Sequence, residues 1–114
     1  MVLMLSNLLL IPLAAASVSS EAALRNEFIQ AERQIGSLQY PQAQKLLSKF
    51  ADYPLQPYLQ QRRLQQFLNA DQRIADFLQQ YENTPLDWPL RKPWLLDLAR
   101  RQQAGTYLAN YPGS

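Results

Sequence analysis

The chain contains no cysteine and no histidine. That absence removes disulfides, thiol nucleophiles, zinc sites built on Cys or His, and Ser-His-Asp catalysis. Glycine is scarce, with only Gly36, Gly105 and Gly113, so no glycine-rich loop cradles a phosphate. No sign of charge dominates either: 11 basic residues stand against 9 acidic ones, a net charge of +2. Basic and acidic side chains alternate along the chain, as on an ordinary solvated surface. A nucleic-acid footprint needs a basic cluster with interleaved aromatics or glycines, and none is present. No metal, no cofactor and no nucleic-acid partner is expected.

What is present favours helix. Glutamine is common and glycine rare. The length of 114 residues suits one small domain or a piece of a larger one. The first twenty residues differ from the rest. Val2-Leu3-Met4-Leu5 and Leu8-Leu9-Leu10-Ile11-Pro12-Leu13 are apolar, and no charged side chain precedes Glu21. Ser6, Asn7 and Pro12 break the run, so no stable membrane span is expected. It has the length of a signal-peptide core, and Ala14-Ala15-Ala16 supplies small residues for cleavage after Ala16. Residues 1–16 are therefore read as a secretory signal, although a basic leading region is missing. An uncleaved anchor or a buried N-terminal helix is the alternative. No Cys follows, which excludes a lipoprotein anchor.

Helices follow in sequence. The first is expected from about Ser20 to Leu38, capped by Ser19 or Ser20, with Leu24, Phe28, Ala31, Ile35 and Leu38 in one stripe. The second is expected from Pro41 to Ala51, burying Ala43, Leu46, Leu47 and Phe50. Pro54 stops it and Pro57 opens the third, giving an αα-hairpin. The third, from about Gln56 to Leu68, carries apolar residues on two sides. Leu55, Tyr58 and Leu59 point one way, and Leu64, Phe67 and Leu68 point nearly the opposite way. A helix apolar on two sides is touched on two sides, as inside a stacked array.

The fourth helix is expected from Ala70 to Tyr81, capped by Asn69 with Gln72 in a capping-box pattern. The fifth starts between Leu90 and Pro93 and buries Trp94, Leu95 and Leu98. A short sixth is expected around Thr106 to Asn110. Pro54-Leu55 with Pro57-Tyr58-Leu59 is echoed by Pro89-Leu90 with Pro93-Trp94-Leu95, about 35 residues on, a spacing compatible with stacked helix pairs. Prolines that simply start helices would produce the same echo.

Nothing in this pattern assembles a catalytic centre. The acidic residues lie along amphipathic helices and read as solvated, with no setting that raises a carboxylate pKa for general-acid work. Two side chains are candidates for substrate contact. Arg62 falls, by helical phase, beside Tyr58 and Leu59. It is expected either to pair with an acid such as Asp52 or to touch a sugar or partner. Trp88 is a candidate stacking surface for a sugar ring, whereas Trp94 on a helical apolar face belongs to the core.

The run Tyr53-Pro54-Leu55-Gln56-Pro57-Tyr58-Leu59, with Asp52 before it and Arg62 after it, resembles the N-terminal region of the soluble lytic murein transglycosylases of the large periplasmic type. Asn83-Thr84-Pro85 and Leu98-Ala99-Arg100-Arg101 are similar to that family's next helices. The resemblance spans about residues 22–112. It implies an all-α fold of antiparallel helix pairs stacked as the start of an α-superhelix, like a tetratricopeptide solenoid.

The resemblance also implies cell-wall chemistry in the periplasm. Such enzymes cleave the bond between N-acetylmuramic acid and N-acetylglucosamine in peptidoglycan glycan strands and form a 1,6-anhydro product. Their catalytic Glu lies in a Glu-Ser motif of a lysozyme-like domain. These 114 residues contain no Glu-Ser pair and no Gly-Leu-Met-Gln segment, so no catalytic residue carries over. The chain is expected to be a fragment, residues 17–114 forming the N-terminal part of the superhelical domain and being inactive alone. Its partners would be glycan strands and the missing superhelical and catalytic parts. Exposed apolar surface is then expected around Trp94, Leu108 and Tyr111. The alternative is a free-standing helical-hairpin interaction module of the periplasm.

Overall fold

A computed structural model describes residues 13–113. Among them the chain is all-α, with helices α1 (Leu13–Gln34), α2 (Tyr40–Lys49), α3 (Gln56–Gln65), α4 (Asp71–Gln80), α5 (Trp88–Arg100) and α6 (Ala104–Asn110). The apolar run at residues 2–12 lies outside the described residues. Helix α1 already includes Leu13, so Ser19 and Ser20 are helical positions and not caps. The three alanines before them have the highest helix propensity and give the helix no reason to start later.

Prolines set the joins as the sequence suggests. Pro41 and Pro57 sit in the first turns of α2 and α3. Three tight turns cover the α2–α3 link: Ala51 N–H bonds Ser48 C=O, Tyr53 N–H bonds Phe50 C=O, and Gln56 N–H bonds Tyr53 C=O. Helix α5 departs from expectation, beginning at Trp88 with Pro93 in its interior. A proline there cannot donate to the carbonyl four residues back. That carbonyl belongs to Pro89, and the Gln65 Nε2 of α3 donates to it instead at 3.1 Å. A side chain from another helix thus replaces the missing backbone donor.

The other expected cap also fails. Ala70, not Asn69, occupies the N-cap of α4 and no side chain caps this end. Gln72 turns its amide to Asp76 Oδ1, 2.9 Å away, one helical turn along. At the end of α5 the chain closes a Schellman motif, with Gln103 N–H on Leu98 C=O at 2.9 Å and Gln102 N–H on Ala99 C=O at 3.1 Å. Gln102 takes the left-handed position, φ 60°, where glycine is usual.

Two apolar clusters form. The first contains Phe28, Ala31, Ile35, Ala43, Phe50 and Leu59, with Leu38, Leu46, Leu47 and Tyr53 against it. The second contains Ile74, Phe77, Leu78, Leu86, Leu90, Trp94, Leu95 and Leu98, with Leu64, Leu68, Tyr81 and Tyr107 against it. Helix α3 serves both: Leu59 is in the first, and Leu64 packs on the second. It contacts α1, α2, α4 and α5, and α5 in turn contacts α4 and α6. The described residues form a thin slab, 78 × 29 × 16 Å in its principal extents. Leu108 and Tyr111 are exposed, whereas Trp94 is fully buried and not part of an exposed end. Its position on α5 points it into the second cluster.

Candidate functional site

Of the two sequence candidates, Trp88 lines the larger cleft, and Arg62 borders a recess of about 280 Å³ with Glu32, Arg33 and Gln66. Arg62 is half-exposed on α3 and its acidic neighbour is Glu32, at a loose 4.0 Å, not Asp52. The anchoring role belongs to the next residue. Arg63 Nη1 donates to Ile35 C=O at 2.9 Å and to Leu38 C=O at 2.5 Å, tying α3 to the end of α1. Its guanidinium lies 4.2 Å from the centroid of the Phe67 ring. Leu59, Arg63 and Phe67 stand four residues apart, and this spacing was the available signal: the buried Leu59 carries Arg63 inward with it.

Trp88 opens α5 and is 51% exposed. It lines a cleft of about 510 Å³ together with Glu82, Asn83, Thr84, Asp87, Arg91, Asn110 and Tyr111. The local sequence builds this cleft. Asn83 takes φ 63°, a left-handed geometry that asparagine tolerates. Thr84 Oγ1 donates to Tyr81 C=O at 2.6 Å and accepts from Leu86 N–H at 3.2 Å, closing the turn. Leu86 then plugs into the second cluster. The buried Gln61 Nε2 of α3 donates to Leu86 C=O at 2.8 Å. The loop carrying Trp88 is therefore fixed from beneath by α3.

An ion pair forms the cleft floor. Arg91 grips Asp87 with both faces of its fork, Nε to Oδ1 at 2.7 Å and Nη2 to Oδ2 at 2.9 Å. Its Nη1 donates to Asn110 C=O at 2.8 Å, joining the start of α5 to the end of α6. The bond to Asp87 raises the Arg91 pKa against the opposing effect of burial. Trp88 and Tyr111 expose ring surface at this cleft, with the carboxylates and amides of Glu82, Asp87, Asn83 and Asn110 around them. Rings beside planar polar groups suit a hydroxyl-rich ligand with apolar faces.

A second charged centre is structural. Trp94 is buried, and its Nε1 donates to Asp71 Oδ1 at 2.9 Å. Arg101 places Nη2 2.8 Å from Asp71 Oδ1, Nη1 3.2 Å from Asp71 Oδ2 and Nε 2.7 Å from Asp97 Oδ2. The Arg101 bond is the main reason the Asp71 carboxyl sits below its usual pKa, helped by Trp94 and opposed by burial. Asp71 thus moves away from what a general acid needs. Asp71, Asp87 and Asp97 are consequently not the simply solvated acids their helical spacing suggests. Among the described residues no group of three acidic side chains could hold a metal ion. Nor is any described helix long and apolar enough to cross a membrane.

In comparisons with protein-family models, with curated proteins and with solved structures, nothing matches this chain.

Proposed function

We propose that this chain is the N-terminal helical scaffold of a periplasmic lytic murein transglycosylase, a segment that guides glycan strands and leaves cleavage to a lysozyme-like domain. The observation that carries the reading is the Asp52 to Arg62 run, whose text resembles that family's and which forms the joint between α2 and α3. Its helix pairs begin an α-superhelix. The contacts of α1 with α3 and of α3 with α5 support that stacking, because alternate helices meet as they do in helix-pair arrays. Residues 1–16 act as the export signal. Within the scaffold, Trp88 is the sugar-stacking surface and Arg62 is the weaker candidate for contact.

Isolated peptidoglycan sacculi test this reading. The purified protein should co-sediment with them, Trp88→Ala should weaken retention several-fold, and no 1,6-anhydro products should appear. Absence of retention overturns the glycan-guiding role and leaves the free-standing interaction module. Release of anhydro products overturns the assignment of catalysis to another domain.

A further inference from the structure

A second recess lies away from the Trp88 cleft, over α3 and between the starts of α2 and α4. Its inner part, about 350 Å³, is walled by Tyr40, Leu64, Phe67 and Ala70, with Arg63 and Arg73 on its rim. Tyr40, Arg63, Leu64 and Arg73 also line a continuation of about 290 Å³, where Gln44, Gln60, Asp76 and Gln80 join them. The two parts form one groove, apolar at one end and rich in amides at the other.

Its lining is net positive, two guanidinium groups against the one carboxylate of Asp76. Arg73 lies with its guanidinium 4.7 Å from the centroid of the Tyr40 ring and makes no ion pair among the described residues. Arg63 is held by carbonyls and by the Phe67 ring, so no carboxylate neutralises it. The carboxylate of Asp76 lies at the amide-rich end, where it accepts from Gln72 on its own helix and leaves the apolar end to the two guanidinium groups. The start of α4, at Ala70, borders the same recess and has no side-chain cap. Its first N–H groups add partial positive charge. Two guanidinium groups resting on rings above apolar walls fit a carboxylate carried on an apolar body.

We propose that this groove binds the free C-terminus of an extended peptide, with an apolar last residue in the inner recess and its carboxylate on Arg73. The amides of Gln44, Gln60 and Gln80 make no hydrogen bond among the described residues and line the path the preceding peptide bonds would follow. Amides match a peptide backbone, whereas an alkyl chain would leave them unpaired. This argues for a peptide over a fatty acid. The inference does not depend on the glycan reading, because the Trp88 cleft shares no residue with the groove.

Fluorescence anisotropy on the full chain tests it, with a labelled random pentapeptide library bearing free C-terminal carboxylates and the same library amidated. The free-acid library should bind about tenfold more tightly than the amidated one, the discrimination of one charge-assisted pair. Arg73→Gln should remove that preference, and Trp88→Ala should leave it intact. Far-ultraviolet circular dichroism checks that Arg73→Gln, an exposed substitution, stays folded. Equal binding of both libraries, no binding of either, or full retention of the preference in Arg73→Gln overturns the proposal. Displacement of the free-acid library by decanoate with the peptide's own affinity overturns the choice of peptide.

Discussion

Around Phe50, helices α1 and α2 and the start of α3 are joined by rings. Phe28 meets Phe50 edge-on at 5.3 Å and lies 4.9 Å from Tyr53, and Phe50 meets Tyr53 at 5.8 Å. The ion pairs of this half, Lys49 with Glu27 and Arg62 with Glu32, are half-exposed. Around Trp94 the joining groups are ions. Arg101 bridges Asp71 and Asp97, and Arg91 bridges Asp87 and the end of α6. Rings pack without needing a fixed charge state, whereas buried or half-buried ions hold only while both partners stay charged. The second half is therefore the more orientationally specific and the more sensitive to acid. The first half should tolerate rearrangement of its rings.

Five measurements would break or sharpen that contrast. Trp94→Ala removes the largest fully buried side chain and one of the two donors to Asp71 Oδ1, so equilibrium denaturation should show a loss of about 3–5 kcal/mol, most of it from the cavity. A smaller effect than for Phe50→Ala would contradict the second half's dependence on this residue. Gln61→Ala leaves the buried Leu86 carbonyl without its donor and should remove about 1–3 kcal/mol. Because α3 belongs to both halves, hydrogen-exchange protection should fall in both. Protection lost only in α5 would show the halves to be independent.

Acid should separate them. The folded Asp71 pKa lies below its unfolded value, so its stabilising contribution is present above the unfolded pKa and is lost as pH falls through the folded one. Protection factors in α4 and α5 should therefore drop below about pH 4 before those in α1 and α2 do. A simultaneous drop would contradict the contrast. Gln102→Gly relieves a left-handed side chain and should stabilise by about 1 kcal/mol, read as a raised denaturation midpoint. The smallest effect concerns Pro93. Gln65→Ala should cost about 0.5–1 kcal/mol in the natural background and near zero once Pro93→Ala restores the backbone donor, as a double-mutant cycle would show.

Much of the architecture was readable from residue spacing. The prolines at 41, 54 and 57 placed the joins. The third helix is touched on two sides through Leu59 and Leu64, but it ends at Gln65 and not Leu68, and Leu55, Tyr58 and Phe67 stay exposed. Phe28, Ala31 and Ile35, and likewise Ile74, Phe77 and Leu78, became core as their spacing indicated. The site was less legible. Trp88 could be flagged, but Asn110 and Tyr111 reach its cleft only because α6 folds back on α5, and Glu82 and Asn83 only because the loop before α5 turns at Asn83. Arg63, one residue from Arg62, acts on carbonyls 25 and 28 residues away. The Arg101–Asp71 pair spans 30 residues. Local patterns report which face of a helix is apolar. They do not report which distant carbonyl or carboxylate waits opposite a polar one. Pro93 misled for the same reason: its interior place depends on a donor supplied by α3.

Helix α3 has only ten residues, yet both clusters seat on it, through Leu59 on one face and Leu64 on the other. Each residue added between those two would rotate the second seat by about 100° about the helix axis. A one-residue insertion there would leave every local contact chemically intact while swinging α4, α5 and the Trp88 cleft to a new bearing. The five-residue step from Leu59 to Leu64 thus fixes, like the tooth count of a gear, the direction in which the second half of the chain faces.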